Sequence, residues 1–103
     1  MESVPEEIGR HFIIGLSGPR ISALDSEVLR ALKPLGVILR AHNFLADSPY
    51  QQWRAALTEL LHQVRTLSGR STAIIAIDHE GGRVHRTPAP LTHFPAARNY
   101  TKH

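Results

Sequence analysis

The sequence predicts an α/β fold built on a parallel sheet. Three short apolar segments alternate with two amphipathic helical segments, in the order strand, helix, strand, helix, strand. The last apolar segment, Thr72–Ile77, lacks polar alternation, which is typical of a strand with both faces covered, in a parallel sheet flanked by helices. The helical segments are long enough for right-handed crossovers between parallel strands.

Composition narrows the class of protein. The chain has 103 residues, enough for one small domain, and its 42% hydrophobic content suits a packed core. The net charge of +3 comes from scattered basic residues, so no basic stripe indicates binding to nucleic acid. The acidic opening Met1–Glu7 carries no basic and apolar leader, which predicts a cytoplasmic protein without a membrane segment. These features predict no particular oligomeric state.

The first strand is predicted at Arg10–Leu16, ended by Ser17-Gly18-Pro19. Gly15 inside it predicts a close approach to the backbone. A helix follows, because Ser22 and Asp25 have the spacing of a capping box. Its predicted apolar stripe consists of Leu24, Val28, Leu32 and Leu35.

The second strand, Gly36–Leu39, is followed by the polar segment Arg40–Asn43. The second helix is predicted to start with Ser48 as N-cap and Pro49 at the first helical position, and to end at Gly69. Its apolar face is wide enough to cover a sheet and consists of Trp53, Ala56, Leu57, Leu60, Leu61, Val64 and Leu67.

The third strand delivers Asp78 and Glu80 to its carboxyl end, where parallel sheets bind ligands. In an extended chain the two carboxylates point the same way, about 6.5 to 7 Å apart at the backbone. Gly81 and Gly82 allow the chain to turn and leave room for a ligand. Two arginines, Arg83 and Arg86, are placed to balance the two acids.

Residues Asp78–Arg86 read D-H-E-G-G-R-V-H-R and resemble the D-x-E-G-G-R-V-x-R segment of the glycoside hydrolase family 3 N-terminal domain. The similarity is greatest to the β-N-acetylhexosaminidase branch. The family's G-x-x-F-x-x-G-x-x-G spacing is matched from Gly9 to Gly18, and its G-G-V-I-L-F-x-R-N segment aligns with the second strand. There Arg40 replaces an aromatic residue and His42 replaces an arginine.

The resemblance implies that residues 1–103 are the first three β/α units of an incomplete TIM (β/α)8 barrel domain. It implies a retaining enzyme that removes β-linked N-acetylglucosamine from non-reducing ends, with its catalytic residues downstream of this chain. The isolated chain is therefore expected to be inactive. A β-glucosidase of the same family and a non-catalytic sugar-binding or oligomerising module are the alternatives.

The resemblance also assigns roles to residues. Asp78 matches an aspartate that binds the glycone sugar, and the other predicted substrate-binding residues are Gly81, Gly82 and Arg83. Neighbours on one strand reach a substrate from one side, so Asp78 and Glu80 do not suit an acid and nucleophile pair. The residues predicted to support the site are Glu80, Arg86 and His42. A structural alternative for Asp78 is an ion pair with Arg83 or a cap on the following turn.

A metal or cofactor is not expected. Asp78, His79 and Glu80 are oxygen and imidazole donors, but strand alternation directs His79 away from the two acids. The sequence contains no cysteine and no H-E-x-x-H segment. A carbohydrate is the only partner that the sequence predicts.

Overall fold

The computed structural model describes residues 4–45 and 47–77. These form three helices, three strands and one 3-10 turn. In chain order they are α1 Glu6–Gly9, β1 Ile13–Gly15, α2 Ala23–Leu32, β2 Gly36–Leu39, the 3-10 turn Ala41–Asn43, α3 Tyr50–Ser68 and β3 Ile74–Ile77. The predicted alternation of strands and helices is confirmed, while the short helix α1 was not predicted.

The three strands form one parallel sheet in the order β1-β2-β3. Its register aligns three rows across the sheet, and one of them joins Ile14, Val37 and Ile75. All three side chains of this row contact the hydrophobic core. The predicted α/β class with a parallel sheet is therefore confirmed for the part of the chain that is described.

The core lies between one face of the sheet and the helices α2 and α3. Val37 and Leu39 of β2 pack there against Leu29 of α2 and Leu60 and Val64 of α3. Trp53 closes one end of this core, with its ring edge-on to Phe44 at a centroid distance of 6.0 Å. Burial of large aliphatic side chains stabilises a fold by about 1.5 to 3 kcal/mol each, so this layer supplies most of the stabilisation.

The buried face of α2 differs from the predicted stripe. Leu24 is 62% exposed, whereas Leu29, outside the stripe, is fully buried. Asp25 also faces inward and is 8% exposed, because its carboxylate binds the loop after β1. The helix is thus rotated by about one position relative to the apolar spacing, since a hydrogen-bonded acid occupies part of its inward face.

The helix ends follow the predicted residues closely. Ser22 caps α2 in a capping box with Asp25, as predicted, and Gly69 ends α3 with a left-handed φ of 71°. The predicted start of α3 is wrong. Pro49, and not Ser48, is the N-cap, and no side-chain cap from Ser48 is present. None of the helices within residues 4–77 is both long and apolar enough to span a bilayer.

The predicted strands are longer than the observed ones. Arg10 and His11 lie in a turn whose backbone N–H groups donate to α1 carbonyls, which shortens β1. The prediction that the third strand is covered on both faces is also wrong for the described residues. Ile75 packs on the core, but Ile74 is 46% exposed on the opposite face of the sheet, as is Ile13. No described element covers that face.

Glycine is required where β2 meets β3. A Cβ at Gly36 would lie 2.0 Å from the carbonyl oxygen of Ile74, its partner in the ladder. Around Gly15, in contrast, no described atom lies within 4 Å of the corresponding position. The close approach predicted at Gly15 is therefore absent from the described residues, and the close approach within the sheet occurs at Gly36.

We expect Gly36→Ala to lower the free energy of unfolding by about 1 to 3 kcal/mol or more, because the methyl group must displace the β3 backbone. Urea denaturation followed by far-ultraviolet circular dichroism measures this loss. Gly15→Ala is the matched control, since both glycines lie in parallel strands and only one is crowded. Equal losses in the two variants would contradict the close β2–β3 approach.

Candidate functional site

The carboxyl ends of the three strands meet at one edge of the sheet. Because the strands are parallel, Gly15, Leu39 and Ile77 all end there. Ligands of α/β proteins bind beyond such an edge, where the loops after the strands provide the polar groups. We call this the carboxyl edge, and it is the candidate site.

Most of the predicted site residues lie outside the described residues. These are Asp78, Glu80, Gly81, Gly82, Arg83 and Arg86, which follow Ile77 along the chain. Their roles stay predictions. Of the residues that the sequence assigned to the site, His42 is the one within the described part, and it lies in the 3-10 turn at the carboxyl edge.

His42 links the end of β2 to the end of β1. Its Nε2 lies 2.7 Å from the carbonyl oxygen of Leu16. A carbonyl oxygen only accepts hydrogen bonds, so Nε2 must carry the proton. His42 is itself exposed, whereas Leu16 is buried. His42 thus holds the loop after β1, and its supporting role at a substrate site stays a prediction.

Asn43 makes a second and more deeply buried connection, which sequence reasoning missed. Its side chain is 2% exposed. The Nδ2 amide donates to the carbonyls of Leu16 at 3.3 Å and Gly18 at 2.8 Å. Its Oδ1 accepts the backbone N–H of Arg40 at 2.8 Å. Every polar atom of the amide is thus bonded, as burial requires.

The signal for Asn43 was present in the sequence, since an asparagine in the short polar segment after a buried strand is suited to bonding neighbouring backbone groups. Arg40, immediately after β2, has an exposed side chain. Among residues 4–45 and 47–77, no hydrogen bond or ion pair involves its guanidinium group. Its backbone alone is held at the edge, through Asn43.

Asp25 fixes the other side of the loop after β1. Its carboxylate accepts hydrogen bonds from the Ser17 hydroxyl at 2.7 Å and from the Ser22 backbone N–H at 3.1 Å. The Ser17 backbone N–H donates to the same carboxylate at 3.3 Å. Burial raises the pKa of Asp25, but these hydrogen bonds outweigh burial and leave the pKa below its ordinary value.

Together these contacts hold the loop from Leu16 to Ser22 from two directions. Asn43 and His42 bind its first residues from the 3-10 turn after β2, and Asp25 binds Ser17 and Ser22 from α2. The arrangement supplies a rigid rim with exposed polar groups at the carboxyl edge. Among residues 4–45 and 47–77, no cluster of three potential metal ligands occurs.

A cleft also opens on the helical layer. It has a volume of about 530 Å³ and opens between α2 and α3, lined by residues that include Ser26, Arg30 and His62. Most of its lining belongs to the two helices, and Ile21 and Ser22 of the loop after β1 complete it. It contains no buried polar side chain, so we assign it no function.

No protein-family model matches the chain. Curated proteins do match it. The chain is 39% identical to a β-hexosaminidase of Alkalilimnicola ehrlichii over 84 residues, which are 82% of this chain and 22% of that protein. It is 42% identical to a β-hexosaminidase of Methylobacillus flagellatus over 80 residues, 76% of this chain and 21% of that protein. This is a β-hexosaminidase-like chain.

The structures agree with this relationship. NagZ from Neisseria gonorrhoeae, in complex with N-trifluoroacetyl-D-glucosamine, superposes on 92% of the β-hexosaminidase-like chain with a TM-score of 0.66 and 27% identity. The superposed part is 24% of the NagZ chain. The resemblance to the β-N-acetylhexosaminidase branch of glycoside hydrolase family 3 is confirmed. The chain spans less than a quarter of the length of these relatives.

The lowered pKa of Asp25 predicts a pH-dependent stability. Because the folded-state pKa lies below the unfolded value of about 3.9, the ionised carboxylate stabilises the fold above that pH. The contribution is lost as the pH falls through the lowered folded pKa. We expect Asp25→Asn to reduce the free energy of unfolding at pH 7. In acid, the difference in the free energy of unfolding between this variant and the unchanged chain should become smaller.

Urea denaturation at a series of pH values between about 7 and 2 measures this difference. Glu59→Gln, on the exposed side of α3, is the matched control. A stability difference between the Asp25→Asn variant and the unchanged chain that stays constant across the whole pH range would contradict the assigned role of the carboxylate.

Proposed function

We propose that the chain builds part of a β-N-acetylhexosaminidase, namely the first three β/α units of its (β/α)8 barrel, across residues 1–103. The observation that carries this proposal is the match of the parallel β1-β2-β3 layer to NagZ. The D-x-E-G-G-R-V-x-R segment at Asp78–Arg86 supports it independently.

The uncovered face of the sheet also supports a barrel. Helices cover one face, while Ile13 and Ile74 are 46% exposed on the other. Both belong to the row of the register that runs through Gly36. In a closed eight-stranded barrel this second face points inward, and side chains from the other strands fill it. Large apolar residues suit such a position better than they suit water.

The reaction that we propose for the complete enzyme is hydrolysis of a β-linked N-acetylglucosamine at a non-reducing end. Configuration is retained through a glycosyl-enzyme intermediate. Such cleavage requires a nucleophilic carboxylate and a proton donor on opposite sides of the scissile bond. We assign neither to this chain, and the part of the relatives that it does not match is three quarters of their length or more.

The role that we propose for this chain is to bind the sugar. Asp78 is the residue next after β3, which ends at the carboxyl edge beside β2. We assign to its carboxylate the hydroxyls of the glycone, with Gly81, Gly82 and Arg83 completing the contact. The residues that we assign to support of this site are Glu80, Arg86 and His42. Cytoplasmic location remains a prediction from the sequence alone.

The alternatives from the sequence gain no support. No observation on the described residues favours a β-glucosidase, and the matching curated proteins are named β-hexosaminidases. A non-catalytic module would need its own device to cover the face that bears Ile13 and Ile74.

A chimera tests the proposed sugar contact. The chain would replace the segment that it matches in the Alkalilimnicola ehrlichii β-hexosaminidase, and turnover of an aryl N-acetylglucosaminide would be measured. We expect an active chimera in which Asp78→Ala lowers kcat/KM at least about tenfold. Buried sugar hydroxyls left without a partner cost about 1 to 3 kcal/mol each, and 1.4 kcal/mol corresponds to a factor of ten.

Gln52→Ala is the control in the same chimera, because Gln52 is exposed in the first turns of α3. The melting temperature of each variant separates lost binding from lost folding. Unchanged turnover in a folded Asp78→Ala chimera would remove Asp78 from the site. A folded chimera without activity would contradict the proposed function itself.

The 103-residue chain alone is expected to hydrolyse no aryl N-acetylglucosaminide above the uncatalysed rate. Sugar binding from one side supplies neither the attacking carboxylate nor the proton donor. A chromogenic assay measures the rate, and light scattering shows whether the sample is dispersed. Turnover by a monodisperse preparation, abolished by Glu80→Gln, would mean that this chain performs chemistry that we place outside it.

A further inference from the structure

The geometry at His42 leads beyond a supporting role. Its Nε2 donates to the Leu16 carbonyl oxygen at 2.7 Å, so the proton position on the ring is fixed. A neutral imidazole has one donor and one acceptor nitrogen. With Nε2 occupied as the donor, Nδ1 carries the lone pair. Within residues 4–45 and 47–77, no hydrogen bond reaches that nitrogen.

The backbone to which the imidazole ring is bonded is held in place. The same Leu16 carbonyl accepts a second hydrogen bond from Nδ2 of Asn43 at 3.3 Å. Asn43 is 2% exposed and also binds the carbonyl of Gly18, so the backbone below the ring is fixed from two points. An acceptor held in place before a ligand arrives loses little entropy on binding, which favours affinity and selectivity.

The location of the ring is the third observation. His42 is exposed, and it lies at the carboxyl edge directly after the central strand β2. The ring reaches from there to the end of β1, so it lies at the rim between two of the three loops that a ligand at this edge would meet. An exposed, oriented acceptor at this place is suited to a hydrogen-bond donor of a ligand.

We propose that His42 is a specificity-determining sugar contact, whose Nδ1 accepts a hydrogen bond from a hydroxyl or amide N–H of the bound glycoside. This proposal rests on the proposed function, because it requires glycoside binding at the carboxyl edge. Arginine, which the resemblance places at this position, has only donors. His42 therefore gives this chain an acceptor where an arginine would offer none.

Three substitutions of His42 separate the proposed acceptor role of Nδ1 from the hydrogen bond that Nε2 makes to the Leu16 carbonyl. Glutamine offers both an N–H for the Leu16 carbonyl and a carbonyl oxygen for the sugar. Arginine keeps a donor for Leu16 but provides no acceptor, and alanine removes both. We expect His42→Gln to retain sugar binding within about twofold, and both His42→Arg and His42→Ala to weaken it about fivefold.

The measurement uses the 103-residue chain titrated with N-acetylglucosamine. Long-range proton–nitrogen NMR spectra of the imidazole groups report which ring nitrogen is protonated and which one responds to the sugar. We expect His42 to show a proton on Nε2 and a shift of Nδ1 on titration. The internal control is His62, which is exposed on α3, and His62→Ala is the matched control variant.

The chimera with the Alkalilimnicola ehrlichii enzyme provides a second measurement that does not depend on folding of the chain alone. There we expect His42→Arg to raise KM about fivefold and His42→Gln to restore it, with thermal stability unchanged between the two. If His42 had only a structural role, the two substitutions would change the thermal stability and would not change KM selectively.

The outcomes distinguish this inference from the function on which it rests. Sugar binding or turnover that is equal in the His42→Arg, His42→Gln and unchanged proteins would overturn the role of Nδ1 and leave the proposed function intact. A protonated Nδ1 in the neutral ring would overturn it as well. The absence of both sugar binding by the chain and turnover by the folded chimera would overturn the proposed function and this inference together.

Discussion

The parallel pairing of β2 with both of its neighbours is the constraint on which the other features depend. It brings three strand ends to one edge, and it aligns Ile14, Val37 and Ile75 on the face that packs against the helices. The pairing with β3 requires an approach that only glycine at position 36 allows. A shift of one residue would turn every side chain to the other face and expose the core row.

Beyond the ends of the strands, side chains supply the hydrogen bonds that the backbone makes within the sheet. Asn43 and His42 both bond to the Leu16 carbonyl, where no further backbone N–H of β2 is in place to do so. Asp25 binds the same loop from α2. The loop after β1 is therefore held without regular secondary structure. Rigid loops at the carboxyl edge are what a binding site on a parallel sheet needs.

The two faces of the sheet have opposite environments. The helix-facing side is closed by Leu29, Leu60 and Val64, which are almost completely buried. The other side carries exposed isoleucines, and no described element lies over it. This asymmetry agrees with the short span of the chain relative to its relatives.

The sequence by itself determined the order of the three strands and the two longer helices, the bounds of β2, the capping box at Ser22, the glycine end of α3 and the family relationship. These depend on local patterns, namely apolar spacing, cap residues and a specific motif. Only the tertiary structure decided that Asp25 faces inward in place of Leu24, that Gly36 and not Gly15 is the crowded glycine of the strands, and that Asn43 and His42 share one carbonyl. Each of these results from a contact between residues eight to thirty-eight positions apart, and spacing along a single element carries no information about such contacts.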